Sequence, residues 1–579
     1  MMQYAGMFFA RDARSMANVM DAPCAILGRH ALCAQGSASD GGAIACAFGL
    51  MRDAKSLAAR LRAGGIPFDP DGGPSALALA AYRLWGERYP QYLEGPVSTV
   101  IIDQDAQKLY ITRDRMGEQA AYYLARGACV AFSDAPGALL QAPIARRAVD
   151  REGLRELLAL GPARTPGLTP IPGLKSLEPG CMLVAGDHGQ RVVRYFQLEA
   201  RPHEEDEAAT VERVRALLED ALERVLCLGP ASMLSGGLDS TALTALAAAK
   251  GPVETWSVGY EQDQDHFVQN SYQHERDQPY IERAVELLRV NHHWVTLNQQ
   301  ELFDALHPAM IARGLPGMAD VDASLLLFAQ RIGRNNQYVL SGECADEVFG
   351  GYPWFHRSQL MAADGFPWSG SLALRESVLR PSVRQVLDLP GYAAARYHEA
   401  CAHLPRLSGE EGEQARLRLL QGLCFQWFMP VLQDRARCMC AASGVKVLTP
   451  YCDDRLAQYL YNVPWALKNM GGQEKGLLRQ AVAGLLPPDL LQRRKSPYPK
   501  THHPGYAQLV CRQMARVLED DSSPILEVLD REQMYRLMSG GMSAADTPWF
   551  GQLMTGPQMV AYLLQVNDFL LTYNLELEL

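Results

Sequence analysis

The sequence predicts two domains of different architecture, a strand-rich region over residues 1–200 and an α/β region over 201–579 built on a parallel sheet wrapped by helices. Three observations carry this. In the first part, "GPVSTVIIDQDAQKLYITRD" is a pair of β-rich runs around a polar turn, as in a hairpin. A polar, acidic stretch, "EARPHEEDEAAT", then reads as a linker, after which Val211, Val214, Leu217, Leu218, Leu222 and Val225 recur at helical spacing. From there the short apolar runs "ASML", "ETWSVGY", "HHWVTL" and "QYVLSG" alternate with helical segments, the pattern of a parallel sheet. Beyond about residue 355 the pattern is mostly helical.

The 579 residues are too many for one ordinary core and suggest two or three domains. With 48% apolar and 21% charged residues the composition is that of a folded globular chain. No apolar stretch reaches the roughly 18 residues of a spanning helix, and "MMQYAGMFFARDARSM" lacks the organisation of a secretory signal. A cytoplasmic protein without membrane partners is expected. The 13 cysteines are scattered, and Cys438-Met-Cys440 has neither zinc-knuckle spacing nor a second pair, so they read as reduced, mostly buried thiols. A net charge of −10 argues against nucleic-acid binding.

Two loops carry chemistry. In "SMLSGGLDSTALTAL" a strand ends near Leu234, a Ser-Gly-Gly turn follows, and a helix begins near Asp239-Ser240. Glycines let the backbone approach an anion, and the amides and dipole at a helix N-terminus favour negative charge, so this is a phosphate loop by construction. It is not a Walker A loop, because GxxxxGK[ST] is absent from the chain. Read alone, it is also an ordinary strand-turn-helix connection. The second loop, "QYVLSGECADEVFGG", places Glu343, Asp346 and Glu347 after another apolar run. Loops that follow parallel strands emerge at one edge of the sheet, so the two are expected to face each other there. Carboxylates opposing a polyphosphate need a divalent cation between them.

Four motifs in order, SGGLDS, SGE(C)ADEVFGGY, "DRARCMCAASG" with "TPYCDDRL", and "RRKSPYPK", resemble the asparagine synthetase family over nearly the whole chain. The resemblance implies an N-terminal glutaminase-type, Ntn-hydrolase-like αββα sandwich. It also implies a C-terminal PP-loop ATP pyrophosphatase domain, similar to adenine nucleotide alpha hydrolases, that activates a carboxylate as its adenylate with release of pyrophosphate. By the same resemblance Ser235, Gly236, Gly237, Leu238, Asp239 and Ser240 hold the pyrophosphate of ATP. Asp239 and Asp346 bind Mg²⁺, and the backbone around Ser257 to Gly259 meets the adenine, with Ser341 and Gly342 in the nucleotide-binding set. Glu343 helps deprotonate the attacking amine, and Lys495 stabilises charge on the phosphates and the tetrahedral intermediate. Tyr352, after the acidic loop, is a further catalytic candidate. It and the neighbouring Trp354 and Phe355 read as lining a substrate cleft.

The departures from the family pattern bear on the nitrogen source. Glutamine-dependent members begin Met-Cys-Gly-Ile, whereas here Met2 stands at the cysteine position, and a thioether cannot form the thiolate nucleophile. The family's Asn-Gly-Glu loop appears as "AFGLMRD", with Phe48 and Leu50 at polar positions, and its Ser-Asp-x-Glu segment as "GPSALAL", with Pro74 and Ala76 at the acidic ones. Cys24, Cys33 and Cys46 lie nearby but lack a free terminal amine as base. Lys446 and Leu448 replace a family Glu and Arg. The paired His292-His293 and His502-His503 read as structural.

Two branches of the family lack the N-terminal cysteine and use an internal amine: β-lactam synthetases and the cyclases that close the macrolactam ring of lasso peptides. The loop "GECADEVFGGYPWFHR", the "KSPYPKT" segment and the length are more similar to the second. That resemblance implies a core peptide as substrate, and a leader-removing protease and a leader-recognition protein as pathway partners. A small-molecule amide synthetase and a catalytically silent homologue are the alternatives, the latter disfavoured by the retention of Asp239, Glu343, Asp346 and Lys495. From Met2, Phe48, Leu50, Pro74 and Ala76, the purified protein is expected to release no more glutamate from glutamine than a no-enzyme control, measured by an enzyme-coupled glutamate assay.

Overall fold

The computed structural model describes residues 4–9, 24–27, 30–34, 36–127, 129–269, 272–541 and 548–579, which form two compact units. One comprises 1–149 and 165–197, the other 150–164 and 198–579.

The first unit holds two six-stranded sheets. Its strands are β1 (Tyr4–Phe9), β2 (Cys24–Leu27), β3 (His30–Ala34), β4 (Ala38–Ser39), β5 (Ala43–Gly49), β6 (Val97–Asp103), β7 (Lys108–Thr112), β8 (Tyr122–Arg126) and β9 (Cys129–Ser133). The short β10 (Ala148–Asp150) follows, then β11 (Leu174–Ser176), β12 (Cys181–Gly186) and β13 (Gly189–Arg194). One sheet runs β11-β8-β9-β1-β3-β2 and the other β13-β12-β7-β6-β5-β4. Phe8, Phe132, Val100, Ile111 and Leu183 interleave between them as a core. The outer face of the second sheet is covered by the helices Ala54–Ala63 and Gly73–Trp85 through Leu61, Leu77, Ala81 and Ile101. The hairpin expected at residues 95–114 is β6 paired antiparallel with β7.

The second unit is organised by a five-stranded sheet of β14 (Ala231–Met233), β15 (Glu254–Tyr260), β16 (Asn291–Leu297), β17 (Tyr338–Leu340) and β18 (Lys446–Leu448), in the order β16-β15-β14-β17-β18. Every pairing is parallel. The four apolar runs read from the sequence are β14 to β17, and the direction of winding reverses between β14 and β17. That is the switch point at which open α/β sheets bind ligands.

Two stretches differ from expectation. The acidic stretch 199–210 is not a free linker: the Glu199 and Arg201 amides donate to Gln458 Oε1 and Asn462 Oδ1 at 2.9 and 2.7 Å, and Asp206 caps the helix Glu207–Leu226 by accepting from the Ala209 amide. The polar composition that suggested a linker supplies the cap and the pinning contacts. Residues 150–164 pack with the second unit because its side chains take up their backbone groups: Arg375 donates to the Leu158 carbonyl, and Tyr562 Oη to that of Leu157. Among the described residues no helix is long and apolar enough to cross a membrane.

In the first unit, the loop after β7 is tied by Asp114, whose buried carboxylate accepts from the amides of Gly117, Glu118 and Gln119 at 2.8, 3.0 and 2.7 Å. Asp114→Ala removes the side-chain acceptor of these three amides and is expected to destabilise that unit by about 3 kcal/mol in denaturant unfolding.

Candidate active site

The two loops singled out by sequence follow β14 and β17, which are hydrogen-bonded neighbours with Ala231 opposite Val339 and Ser232 opposite Leu340. The pairing brings the loops into contact: a Cβ on Gly342 would lie 3.0 Å from the Ser240 amide nitrogen. The Ser235 amide donates to Ser240 Oγ at 3.1 Å and the two serine hydroxyls share a hydrogen bond at 3.0 Å, closing the turn ahead of the helix Leu238–Ala248. Gly236 sits at φ +68°, and a Cβ there would come within 2.9 Å of both Arg493 Nη1 and the Ile281 amide nitrogen. Only glycine fits that conformation and that approach.

Behind the loops is a cavity of about 190 Å³. Ser235, Gly237, Leu238, Asp239, Ser240, Ser257, Ser341, Gly342, Glu343, Asp346, Tyr352 and Lys495 all line it. Gly259 lies farther along β15 and faces an adjoining cavity of about 310 Å³ with Val258 and Trp294. The Ser257 hydroxyl donates to the Leu234 carbonyl, tying β15 to the end of β14.

At the centre two carboxylates meet two ammonium groups. Lys475 Nζ lies 2.5 Å from Asp239 Oδ2 and 2.6 Å from Asp346 Oδ1, and Lys495 Nζ lies 2.5 Å from Asp346 Oδ2. Burial works to raise the Asp346 carboxyl, but the two ammoniums outweigh it and hold it down at about 2. At Asp239 burial prevails over Lys475 and the carboxyl is raised. Burial works to lower Lys495, and the neighbouring Asp346 and Asp239 overcome it and raise its pKa.

The residues fit a divalent cation. Asp239 Oδ1 is buried with no hydrogen-bond partner. Among the described residues no set of three or more His, Cys, Asp or Glu is grouped to hold a metal. Two carboxylates with the remaining ligands from phosphate and water are the usual provision for Mg²⁺.

On the other side of the second loop, Glu343 Oε1 accepts from Arg435 Nη1 at 3.0 Å, and the buried Arg435 guanidinium stacks over the Tyr498 ring at 4.5 Å. Glu347 is fully buried. Its Oε1 accepts from Tyr352 Oη at 2.7 Å while Oε2 has no partner, and burial together with the Asp346 charge pushes its carboxyl up to about 8.

The sequence assigned no individual role to Lys475, Arg435 or Arg493, and Glu347 stood there only as one of the three carboxylates of the acidic loop. Lys475 stands in "EKGLLRQ" with no motif around it and reaches the site only through tertiary packing. Arg493 was in view within "RRKSPYPK": it donates to the Ser235 carbonyl at 3.3 Å, pairs with Asp277 and covers the Tyr280 ring, clamping the phosphate loop from outside. Trp354 and Phe355 do not line the cavity as expected. Both are buried, Trp354 against Trp368 and Phe428 and with its indole N–H on Cys424 Sγ, because large aromatic surfaces after the loop fill the core beneath it. Tyr352, stacked on Trp354, is the member that faces the cavity.

The remaining sequence-derived positions have structural places. Lys446 is exposed on the edge strand β18 and Leu448 is buried in it. His292 hydrogen-bonds Thr255 Oγ1, His293 stacks on Trp256, and His503 Nδ1 caps the helix Pro504–Glu519. His502 Nε2 lies 3.3 Å from Gln273 Oε1. Phe48 is buried in the core between the sheets of the first unit, Leu50 is half-buried just after β5, and Pro74 and Ala76 lie in the first turn of the helix Gly73–Trp85. Cys46 is fully buried. Cys24 and Cys33 belong to β2 and β3, and Met2 lies outside the described residues.

The raised Glu347 carboxyl gives a pH prediction. A carboxyl whose folded pKa lies above its unfolded value of 4.5 favours folding at pH below 4.5, and that contribution is lost as pH rises toward about 8. Glu347→Gln cannot titrate, so thermal unfolding followed from pH 5 to 9 is expected to fall less steeply in the variant than in the native chain.

An asparagine synthase family model matches residues 213–564, and a glutamine amidotransferase domain model matches 21–196. The chain is 38% identical to glutamine-hydrolysing asparagine synthetase 3 of Bacillus subtilis strain 168, over 92% of this chain and 87% of that protein. Glutamine-hydrolysing asparagine synthetase 1 of the same strain is 24% identical over 76% of this chain and 73% of its own length. A putative glutamine-hydrolysing asparagine synthetase of Mycobacterium bovis is 24% identical over 75% of this chain and 71% of its own length. With two family models covering both halves and a relative at this identity over nearly its full length, the chain belongs to the asparagine synthase family and is an ATP-dependent amide-forming ligase of asparagine synthetase type.

Proposed function

We propose that the chain closes a macrolactam in a ribosomally made lasso peptide, joining the side-chain carboxylate of an Asp or Glu to that peptide's own N-terminal amine. On this reading the first unit is a retained Ntn-hydrolase-type scaffold without glutaminase activity, and the second a PP-loop synthetase. ATP is a substrate. The carboxylate oxygen attacks the α-phosphorus and the bond to the β-phosphate oxygen breaks, releasing pyrophosphate. The amine nitrogen then attacks the acyl carbon and loses a proton, and the bond to AMP breaks.

The phosphates lie along Ser235 to Ser240, with Lys475 and Lys495 facing them, Ser341-Gly342 alongside, and the adenine near Ser257 and Gly259. Mg²⁺, held by Asp239 and Asp346, would neutralise charge on those phosphates. Glu343 takes the proton of the amine, and Tyr352 lines the place where that amine arrives. Lys495 stabilises the charge that develops on the acyl centre.

The observation that carries the peptide reading is the wall beside Glu343. One helical face presents Phe428, Leu432, Arg435 and Ala436 to the cavity; three of these are apolar, and Arg435 is engaged by Glu343. A free amino acid brings charged α-amino and α-carboxylate groups that need counter-charges when buried. A residue within a peptide brings neither. Enclosing both ends of one peptide also makes the second step intramolecular. The apolar side chains Phe48, Leu50, Pro74 and Ala76 in the first unit support an amine that does not come from glutamine. The core peptide is then the substrate, and a leader-recognition protein and a leader-removing protease precede this step.

A second reading, a small-molecule synthetase using ammonia or an internal amine, is favoured by the 38% identity to a Bacillus asparagine synthetase.

With ATP, Mg²⁺ and a leader-free linear peptide bearing a free N-terminus and an internal Asp or Glu, mass spectrometry is expected to show a product lighter by one water, with AMP and pyrophosphate. N-terminal acetylation abolishes it. Glu343→Gln slows ring closure by about a hundredfold or more while sparing pyrophosphate release. If no such peptide loses water while aspartate and ammonium yield asparagine, the small-molecule reading replaces this one.

A further inference from the structure

We propose that Lys475 acts as a built-in counter-cation that excludes a lone divalent ion from the Asp239–Asp346 pair and admits it only together with a nucleotide. This rests on the reading that the pair binds the ion accompanying the ATP phosphates.

The ammonium lies between the two carboxylates, 2.5 Å from Asp239 Oδ2 and 2.6 Å from Asp346 Oδ1, with its side chain only 3% exposed. Its place is fixed by the backbone around it. Lys475 itself has φ +56°, ahead of the helix Gly476–Ala481, and a Cβ on Gly351 would come within 2.1 Å of Lys475 Cε. Lys495 supplies a second ammonium but reaches only Asp346, at 2.5 Å. Two carboxylates and two ammoniums leave the cluster without net charge. The nearby carboxylates have cations of their own: Asp277 is paired with Arg493, and Glu474 Oε1 lies 4.0 Å from Arg479 Nη2.

A bare divalent ion entering here must displace a buried ammonium from both of its anionic partners. The same step leaves that ammonium without an acceptor, and an unpaired buried charge is costly. A nucleotide removes the penalty, because its phosphate oxygens give Lys475 new anionic acceptors as the ion takes over the carboxylates. Lys475 therefore sets the order of binding, whereas Lys495, bonded to one carboxylate, does not bridge the pair.

The test uses the full-length chain, Mn²⁺ as probe, and α,β-methylene-ATP, which resists cleavage at the bond that releases pyrophosphate. Bound metal is measured by ultrafiltration. The native chain is expected to retain Mn²⁺ only when the nucleotide is present. Lys475→Gln retains Mn²⁺ without nucleotide, with affinity at least roughly tenfold above that of the native chain. Lys495→Gln gains less. Tight nucleotide-independent Mn²⁺ binding by the native chain overturns the proposal, as does a folded Lys475→Gln that gains nothing. A native chain that binds the nucleotide but retains no Mn²⁺ with it removes the carboxylate pair as the metal site, and the proposal with it. The native-chain arm stands whether or not the variants fold.

Discussion

The site depends on one short parallel pairing. β14 and β17 are three residues each, and their registration puts the ends of two strands that lie about a hundred residues apart in sequence side by side at the switch point of the sheet. The Ser-Gly-Gly turn and the acidic loop emerge together only because of it. Their contact at Gly342 and Ser240 is too close for any side chain larger than hydrogen at residue 342 without a shift of the neighbouring backbone.

The polar groups drawn into this junction are satisfied largely by one another. Lys475 and Lys495 balance Asp239 and Asp346, Arg493 balances Asp277, and Arg435 balances Glu343. Pairs of this kind add little net stability against apolar replacements, while removing one partner is costly. Facing the cavity, each ammonium and guanidinium is placed to exchange a carboxylate for a phosphate or acyl oxygen in the proposed reaction. Glu347 is the exception. It makes no ion pair among the described residues; burial and the Asp346 charge push its carboxyl up, and it accepts from Tyr352 Oη at the cavity wall.

Much of this was legible in the chain. Alternating apolar runs and helical segments specified the parallel sheet, and glycines at fixed offsets marked the phosphate loop, because both are local patterns with local causes. The residues missed share a different origin. Lys475, Arg435 and Arg493 lie on helical or irregular segments well over fifty residues beyond the acidic loop, and converge on it only through the packing of the helical extension. Trp354 and Phe355 were misplaced for a related reason: adjacency to a catalytic loop in sequence does not say which side of it faces the core. The polar run 199–210 misled because composition alone does not distinguish a solvated linker from a helix cap and its anchors.

In the proposed chemistry this cavity activates a carboxylate by joining it to AMP. The most direct measurement follows an ¹⁸O label placed in the side-chain carboxylate of a linear peptide substrate through turnover with ATP. Adenylation requires one labelled oxygen to leave with AMP, detected as a mass increase in the recovered nucleotide. Label appearing in inorganic phosphate, with AMP unlabelled, would contradict it.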